Sequence, residues 1–307
     1  MRRREFLKRT IKYGVAAVAA FVLKDFNILF AQNKKDEDRF DLVAVKNGEP
    51  AAMFDEAIMA LGGMAAFIKK GQKVLVKPNI GWAVPPERAA NTNPNLVGHI
   101  VKRCIEAGAE KVYVFDNSVD YSGLCYTRSG IEEAVKSSGG TMVPSDSTGY
   151  YQKTPIPGGK VLKEAMVHET FLEAEVFINV PVLKHHSTTE LTIGMKNNMG
   201  IVWDRRFWHM QGINECIADF AAYRKPDLTV VDAYAVVTKN GPRGVSMADV
   251  KILKTLLAST DPVAVDAAAA KIMGYEPEKI DYIKIAGDEK KLGKYDLTQL
   301  RIKRISL

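Results

Sequence analysis

Residues 73–79 read KVLVKPN, residues 92–108 read TNPNLVGHIVKRCIEAG and residues 111–118 read KVYVFDNS, and together they decide the fold class. The first and third segments are short, apolar and β-branched, which is typical of buried strands. In the second segment Thr92-Asn93-Pro94 supplies a helix cap and an early proline, and Gly108 supplies the stop. Strand, helix and strand in this order predict two parallel strands and a helix that covers the sheet.

The same alternation continues along the chain. It predicts the α/β fold class, with a largely parallel sheet covered by helices. Residues 145–170 have an irregular pattern, so we expect two α/β halves, residues 41–150 and 171–307, around a shared cleft. We expect strands at residues 42–45, 73–77, 111–116, 175–182, 227–232 and 254–258. We expect helices at residues 51–70, 95–107, 130–138, 213–223 and 262–273.

The positive charge of the chain is concentrated near residue 1. The 307 residues include 43 Lys+Arg and 36 Asp+Glu, which gives a formal net charge of +7. Residues 1–32 carry +5 of this charge, and residues 33–307 carry only +2. Nucleic acid, whose phosphates attract strongly basic surfaces, is therefore not an expected partner. With 47% apolar residues the chain can form one large or two modest domains.

The first residues resemble a twin-arginine export signal. Residues 3–8 read RREFLK, and an apolar run at residues 13–23 ends before Lys24 and Asp25. That run is shorter than the ~20 residues that a membrane span needs. We predict a signal peptide at residues 1–32, a polar linker at 33–40 and an α/β domain at 41–307. The signal implies a periplasmic or extracytoplasmic location and the twin-arginine translocase as a partner; the alternative is an ordinary basic amphipathic helix.

Several common classes of site lack their usual sequence support. The three cysteines, Cys104, Cys125 and Cys216, are far apart and form no C-x-x-C, which excludes a thiolate zinc site and an all-cysteine iron–sulfur cluster. The chain also contains no G-x-x-x-x-G-K-[ST], G-x-G-x-x-G, G-x-S-x-G or H-E-x-x-H. The usual nucleotide-binding, hydrolase and zinc-protease interpretations are therefore unsupported.

Polar residues follow two of the expected strands. Lys77 and Asn79 come at the end of one, and Asp116 comes at the end of another. Ligands of open parallel sheets bind beyond these strand ends, so we predict that the three residues contact a substrate. Thr92 opens the next helix, whose N-terminal amides suit an anion. The alternative for each residue is an ordinary turn or helix cap.

The densest cluster of chemically active side chains lies in residues 180–200, which contain VPVLKHHSTT and GMKNNMG. Lys184, Lys196 and Asn197 suit recognition of a carboxylate or phosphate. His185 or His186 is predicted to transfer a proton together with Lys184, because imidazole titrates near neutral pH. Adjacent side chains diverge on a strand, so we expect one catalytic and one structural histidine. The alternative is a solvated polar loop.

Two further groups complete the candidate site. Arg205 and His209 are predicted to close over the bound anion, although the alternative for them is a surface turn with an aromatic anchor. Asp232, Asp261 and Asp266 are candidate oxygen ligands for Mg²⁺ or Ca²⁺. Each aspartate has an alternative as a helix cap or a salt-bridge partner.

The ordered motifs resemble the domain of unknown function 362 family over residues 40–290. The motifs are KPN at 77–79, Asp116, PVLKHH at 181–186, MKNNMG at 195–200, Asp232, Gly241-Pro242, and Thr260-Asp261-Pro262 with Asp266. The resemblance implies a shared fold and a shared site without a settled reaction. Members of that family often carry a ferredoxin-like cysteine module, which this sequence lacks. An iron–sulfur cluster is therefore not expected here.

Together these features predict an exported enzyme that acts on a small anionic substrate in a Lys/His/Asn/Asp cleft. The twin-arginine route carries folded proteins, often with a cofactor already inserted, so a divalent metal or an organic cofactor is compatible with the prediction. The alternative is a non-catalytic ligand-binding or redox-accessory protein that is exported folded. No oligomeric state follows from the sequence.

Overall fold

The computed structural model describes residues 40–307. The predicted signal peptide, residues 1–32, and all but the last residue of the predicted linker lie outside the described residues. Within the range that is described, no helix has both the length and the apolar character needed to cross a membrane.

Ten strands form one mixed sheet in the order β12-β1-β11-β10-β7-β2-β3-β4, with β8 beside β10 and β9 beside β8. Its pairs are parallel except for β1 with β11, β10 with β11 and β8 with β9. Strands β5 and β6 form a separate antiparallel pair. The strands are β1 Leu42–Lys46, β2 Lys73–Pro78, β3 Lys111–Val114, β4 Thr141–Met142, β5 Tyr151–Pro155, β6 Glu164–His168, β7 Val176–Val180, β8 Val182–His186, β9 Glu190–Thr192, β10 Leu228–Val237, β11 Val250–Ser259 and β12 Ile302–Ser306.

Helices pack against the sheet. Within residues 40–307 they are α1 Pro50–Ala60, α2 Pro94–Glu106, α3 Ser122–Arg128, α4 Ile131–Ser137, α5 Glu169–Glu173, α6 Gly194–Asn197, α7 Arg205–Gln211, α8 Ile213–Tyr223, α9 Pro262–Ile272 and α10 Asp281–Asp288. The cap predicted for α2 is confirmed, and for Asp261 the structure shows the alternative, a helix cap. The side chain of Asn93 accepts from Asn95 N at the start of α2, and that of Asp261 accepts from Val263 N at the start of α9.

The sheet separates two hydrophobic cores because successive strand residues point to opposite faces. In β2, Val74 and Val76 belong to the core that contains residues of α1 and α2, and Leu75 belongs to the core that contains residues of α8 and α9. The predicted α/β fold class, a largely parallel sheet covered by helices, is thus confirmed. Strands from both of the expected halves join the one sheet.

Three local expectations were wrong. The helix expected at residues 51–70 ends at Ala60, because Gly62 and Gly63 both adopt positive φ. The strand expected at 175–182 is two strands, β7 and β8, separated at Pro181. The segment expected to be irregular contains the β5–β6 pair.

Candidate functional site

A pocket of about 430 Å³ lies at the carboxyl ends of parallel strands. Asn79 follows β2, Asp116 follows β3 and His186 ends β8. This edge is where open parallel sheets bind ligands. The wall consists of Asn79, Gly81, Trp82, Asp116, Val119, Lys184, His186, Thr192, Lys196, Asn197, Met199, Gly200, Trp203, Asp204, Arg205, Arg206, His209 and Pro242.

Helix α6, which carries Lys196 and Asn197 into the pocket, is fixed at its first residues. The buried carboxylate of Asp266 accepts from Gly194 N at 2.8 Å and from Met195 N at 3.0 Å. Asn179 Nδ2 donates to Gly194 O at 2.7 Å. Side chains from β7 and α9 therefore set the position of this short helix.

Beneath the pocket lies a buried ion pair between Lys77 and Asp116. The Lys77 ammonium is 2.9 Å from Asp116 Oδ1 and also donates to Pro78 O and Asn197 Oδ1. Burial lowers the pKa of Lys77, and the Asp116 carboxylate opposes that shift. The Lys77 nitrogen thus has two hydrogen-bond acceptors and an ion-pair partner, and Lys77 is not part of the pocket wall, so it supports the pocket rather than facing a ligand.

A chain of carboxamides connects this ion pair to Lys184. Asn197 Oδ1 accepts from Lys77 Nζ and also, at 3.1 Å, from Asn79 Nδ2. Asn79 Oδ1 in turn accepts from Lys184 Nζ at 2.7 Å. Asn197 Nδ2 donates to Asn179 Oδ1 at 2.9 Å, which fixes the orientation of its amide. Asn79 therefore orients Lys184, and Asn197 holds Asn79 in place.

The backbone of Gly200 lies so close to the ion pair that no side chain fits at this position. A Cβ at this position would lie 1.6 Å from Asp116 Oδ1 and 2.7 Å from Lys77 Nζ. The motif MKNNMG must therefore end in glycine, because the backbone there approaches the ion pair too closely for a Cβ.

Lys184 and Lys196 are buried cations that have no carboxylate partner among the described residues. Lys184 Nζ donates to Asn79 Oδ1 and Ala90 O, whereas Lys196 Nζ donates to Met199 Sδ at 3.2 Å. Burial lowers the pKa of both to about 7. At Lys184 the Asp116 carboxylate opposes this shift and the charges of Lys196 and Lys77 add to it, whereas Arg205 lowers the pKa of Lys196 further. Near neutral pH both amines therefore exist partly in the uncharged form.

Helix α7 brings three more basic side chains to the pocket. Asp204 begins the helix and accepts from Phe207 N at 3.1 Å. The half-buried guanidinium of Arg205 donates to Asn117 O at 2.7 Å and Ser118 O at 2.6 Å, both neutral acceptors. Arg206 and His209 are exposed at the pocket wall. Burial and the charges of Lys196 and Arg205 lower the pKa of His209.

The two adjacent histidines diverge, as expected on a strand. His186 lies in the pocket wall, whereas His185 accepts from Gly241 N at 3.1 Å and is not part of the wall. His186 Nδ1 accepts from Thr188 N, so its neutral ring carries the proton on Nε2. Burial and the nearby lysines hold the pKa of His186 well below its usual value. His186 is therefore suited to donate a hydrogen bond to an anionic oxygen rather than to accept a proton.

Other predicted residues lie outside the pocket wall. Thr92 is buried, accepts from Asn79 N at 2.8 Å and donates to Val180 O at 2.7 Å, so it ties two loops together. Asp232 accepts from Asn93 N and Tyr234 N. Burial raises the pKa of Asp232 to about 6 and that of Asp266 to about 7.

The structure does not bring Asp232, Asp261 and Asp266 into one group. Each accepts from backbone amides in a different place: beside the start of α2, at the start of α9 and at the start of α6. Among residues 40–307, no three His, Cys, Asp or Glu side chains form a cluster able to hold a metal ion. A divalent metal stays a prediction from the sequence.

Sequence reasoning missed several residues of this site. Asn179 is the one polar residue in strand β7, VFINV, and it pairs in register with Lys77. A polar residue in an otherwise apolar strand was the signal that could have identified it. Trp82, Thr192 and Trp203 lie in the pocket wall without any pattern in the sequence to mark them.

The pocket has an excess of positive charge. Lys184, Lys196, Arg205 and Arg206 line it, and the carboxylates in the wall are Asp116, which Lys77 pairs, and Asp204, which caps α7. Such a site can accommodate an anion, and the uncharged fraction of its lysines can accept protons or attack electrophiles. The fold and the site define the class of protein: an α/β protein with a cationic pocket at the carboxyl edge of a mostly parallel sheet.

The chain belongs to the family described as Domain of unknown function (DUF362), whose model matches residues 74–271. The match includes every residue of the pocket wall. The resemblance of the motifs to this family is thus confirmed, over a somewhat shorter range than expected.

The chain is similar to a curated protein and to a solved structure. A thylakoid-associated protein from Synechocystis sp. is 28% identical over 236 residues, which cover 72% of this chain and 68% of the relative. The solved structure of the lactate racemase apoprotein from Thermoanaerobacterium thermosaccharolyticum superimposes with a TM-score of 0.47 at 12% identity. That alignment covers 77% of this chain and 58% of the racemase chain.

Proposed function

We propose that this protein is an enzyme that binds a small anionic substrate in the cationic pocket and moves a proton on it. The observation that carries the proposal is the pair of buried lysines, Lys184 and Lys196, whose described contacts include no carboxylate. An unpaired buried cation is costly, and a bound anion would relieve that cost.

The pocket supplies distinct groups for the two tasks. Arg205, Arg206 and the protonated form of Lys196 offer positive charge, and the Nε2–H of His186 offers a hydrogen bond to an anionic oxygen. Lys184, oriented by Asn79, has a pKa of about 7 and serves as the proton acceptor. A base with a pKa near the working pH is the effective choice for proton transfer.

Calorimetric titration with inorganic phosphate and with malonate tests the binding step. We expect both probes to bind the wild type, and Lys196→Met to weaken the affinity at least tenfold, a loss of about 1.4 kcal/mol. Lys153→Met, which changes a lysine whose side chain is 68% exposed and lies outside the pocket wall, is the matched control and should bind like the wild type. Equal affinities of wild type and Lys196→Met would contradict the proposal.

Exchange of carbon-bound hydrogen for deuterium tests the proton transfer. A panel of small carboxylates in D₂O is followed by NMR, and we expect the protein to accelerate exchange next to the carboxylate of its substrate. Lys184→Met should abolish this exchange. If carboxylates bind but none of the panel undergoes exchange, the result would instead favour the alternative, a ligand-binding or accessory protein.

We also propose that residues 1–32 direct export through the twin-arginine translocase. The proposal is supported by RREFLK at residues 3–8 and by the short apolar run that follows. Changing Arg3 and Arg4 to Lys should retain the protein in the cytoplasmic fraction, whereas Lys34→Arg should not. Unchanged fractionation of the Arg3/Arg4 variant would refute this proposal.

A further inference from the structure

The three lysines of the site differ in the acceptor atoms that contact their side-chain nitrogen atoms. Lys77 Nζ has three oxygen partners, and Lys184 Nζ has two. Lys196 Nζ contacts a thioether sulfur, Met199 Sδ, which is a weak acceptor. Of the three, Lys196 has the nitrogen that is least restrained by strong acceptors.

The surroundings of Lys196 also favour its uncharged form. Its side chain is almost wholly buried, with 7% of the residue exposed, and it still lines the pocket. Burial and the Arg205 charge lower the pKa of Lys196 to about 7. Desolvation and a neighbouring cation are the two conditions that convert a lysine into a nucleophile.

We propose that Lys196 Nζ forms an imine with the carbonyl carbon of a small 2-oxo acid. The inference rests on the proposed function, because the carboxylate of such a substrate is the anion that the pocket attracts. Arg205 and Arg206, which line the pocket, supply positive charge for the carboxylate, and His186 Nε2–H can donate to the oxygen of the carbonyl group. A 2-oxo acid therefore combines the two features that the pocket recognises: a negative charge and an electrophilic carbon.

The step is balanced without an oxidant or reductant. The Nζ lone pair forms the bond to carbon, and the π electrons of the carbonyl move to oxygen, which takes up a proton. Nitrogen then loses a proton, the hydroxyl takes up a proton and leaves as water, and the nitrogen lone pair completes the C=N bond. Overall one amine, one carbonyl and one proton from solvent give one iminium and one water.

Reductive trapping of the wild-type protein tests the inference. Pyruvate is the probe, and sodium cyanoborohydride at pH 7 delivers hydride to the iminium carbon and leaves a stable secondary amine. Peptide mass spectrometry then compares the rate of modification at Lys196 with that at the exposed Lys153 in the same sample. We expect Lys196 to react at least ten times faster, malonate to slow it selectively, and acetone, which lacks a carboxylate, to react there more slowly than pyruvate.

Two variants sharpen the result. Lys196→Arg keeps a positive charge but removes the nucleophile, so the fast modification should disappear; Lys153→Arg should retain it. Modification of wild-type Lys196 no faster than Lys153, or no slower with malonate, overturns the inference, and this comparison does not depend on whether a variant folds. If malonate still binds calorimetrically in that case, the proposed function survives; if neither malonate nor phosphate binds, the proposed function fails as well.

Discussion

At the scale of single residues, the structure gives a physical reason for the glycine at position 200. The backbone there lies against the Lys77–Asp116 ion pair, and a Cβ would enter the space of the carboxylate. Any larger residue must displace one partner of a buried pair, and a buried charge without its partner is strongly destabilising.

Gly200→Ala is therefore expected to lower the free energy of unfolding by about 3 kcal/mol and to weaken phosphate binding. Gly149→Ala is a suitable control, because its Cβ would have its nearest neighbour at 3.6 Å, an ordinary contact. Urea unfolding of both variants and of the wild type checks the first expectation, and calorimetry checks the second. A Gly200→Ala protein as stable as the wild type would show that the ion pair can move aside.

The sequence predicted the chemically active residues better than their roles. Lys184, Lys196 and His186 were identified by residue type and by position after a strand, and all three line the pocket. The role of Lys77 depends on a contact with Asn197, 120 residues away, and no local pattern encodes such a contact. Asp261 was correctly offered the alternative of a helix cap, because Thr-Asp-Pro is a local signal.

At the scale of secondary-structure elements, two aspartates each accept hydrogen bonds from the first amides of a helix. Only one of these two helices carries residues of the pocket wall. Asp261 accepts from Val263 N and Ala264 N at the start of α9. Asp266 accepts from Gly194 N and Met195 N at the start of α6, the helix that carries Lys196. Loss of the first should affect stability, whereas loss of the second should also affect the site.

We expect Asp261→Ala to lower the free energy of unfolding by about 1 kcal/mol and to leave phosphate affinity unchanged. Asp266→Asn should weaken phosphate binding at least tenfold, because its amide nitrogen cannot accept from a backbone N–H and α6 loses one of its two hydrogen bonds to this side chain. Calorimetry and urea unfolding measure both effects. A large loss of affinity in Asp261→Ala would contradict its assignment as a cap.

The ends of helices could be predicted where capping residues mark them in the local sequence. The starts of α2 and α9 were predictable because asparagine or aspartate followed by proline signals a helix start. Strand β12 and the part of β8 beyond Val182 were not predicted, since their pairing partners β1 and β10 lie elsewhere in the chain. Tertiary pairing, rather than propensity, makes these segments strands.

At the scale of the whole molecule, the buried lysines give stability a defined dependence on pH. The pKa of Lys196 is about 7 in the folded protein and 10.5 for the ordinary side chain. Between these values the unfolded chain binds a proton that the folded chain does not, so the contribution of Lys196 to stability rises with pH. Below pH 7 both states are protonated and the dependence disappears.

We expect the stability of the wild type relative to Lys196→Met to increase from pH 7 to pH 10, by up to about 1.4 kcal/mol per pH unit. Urea unfolding in buffers without small anions measures it, because a bound anion would restore the charge on Lys196. The free energy of unfolding of Lys153→Met, which changes an exposed position, should depend on pH as that of the wild type does over the same range. Parallel curves for Lys196→Met would mean that the amine stays charged in the folded protein.

The position of strand β1 has a consequence for the order of folding during synthesis. Leu42–Lys46 lies between β11 and β12, so both of its neighbours come from segments more than 200 residues later in the chain. The ribosome therefore releases β1 long before β11 and β12 have been synthesised. Until then both edges of this apolar strand stay unpaired. A chaperone that holds this segment until β12 emerges would protect the nascent chain from aggregation.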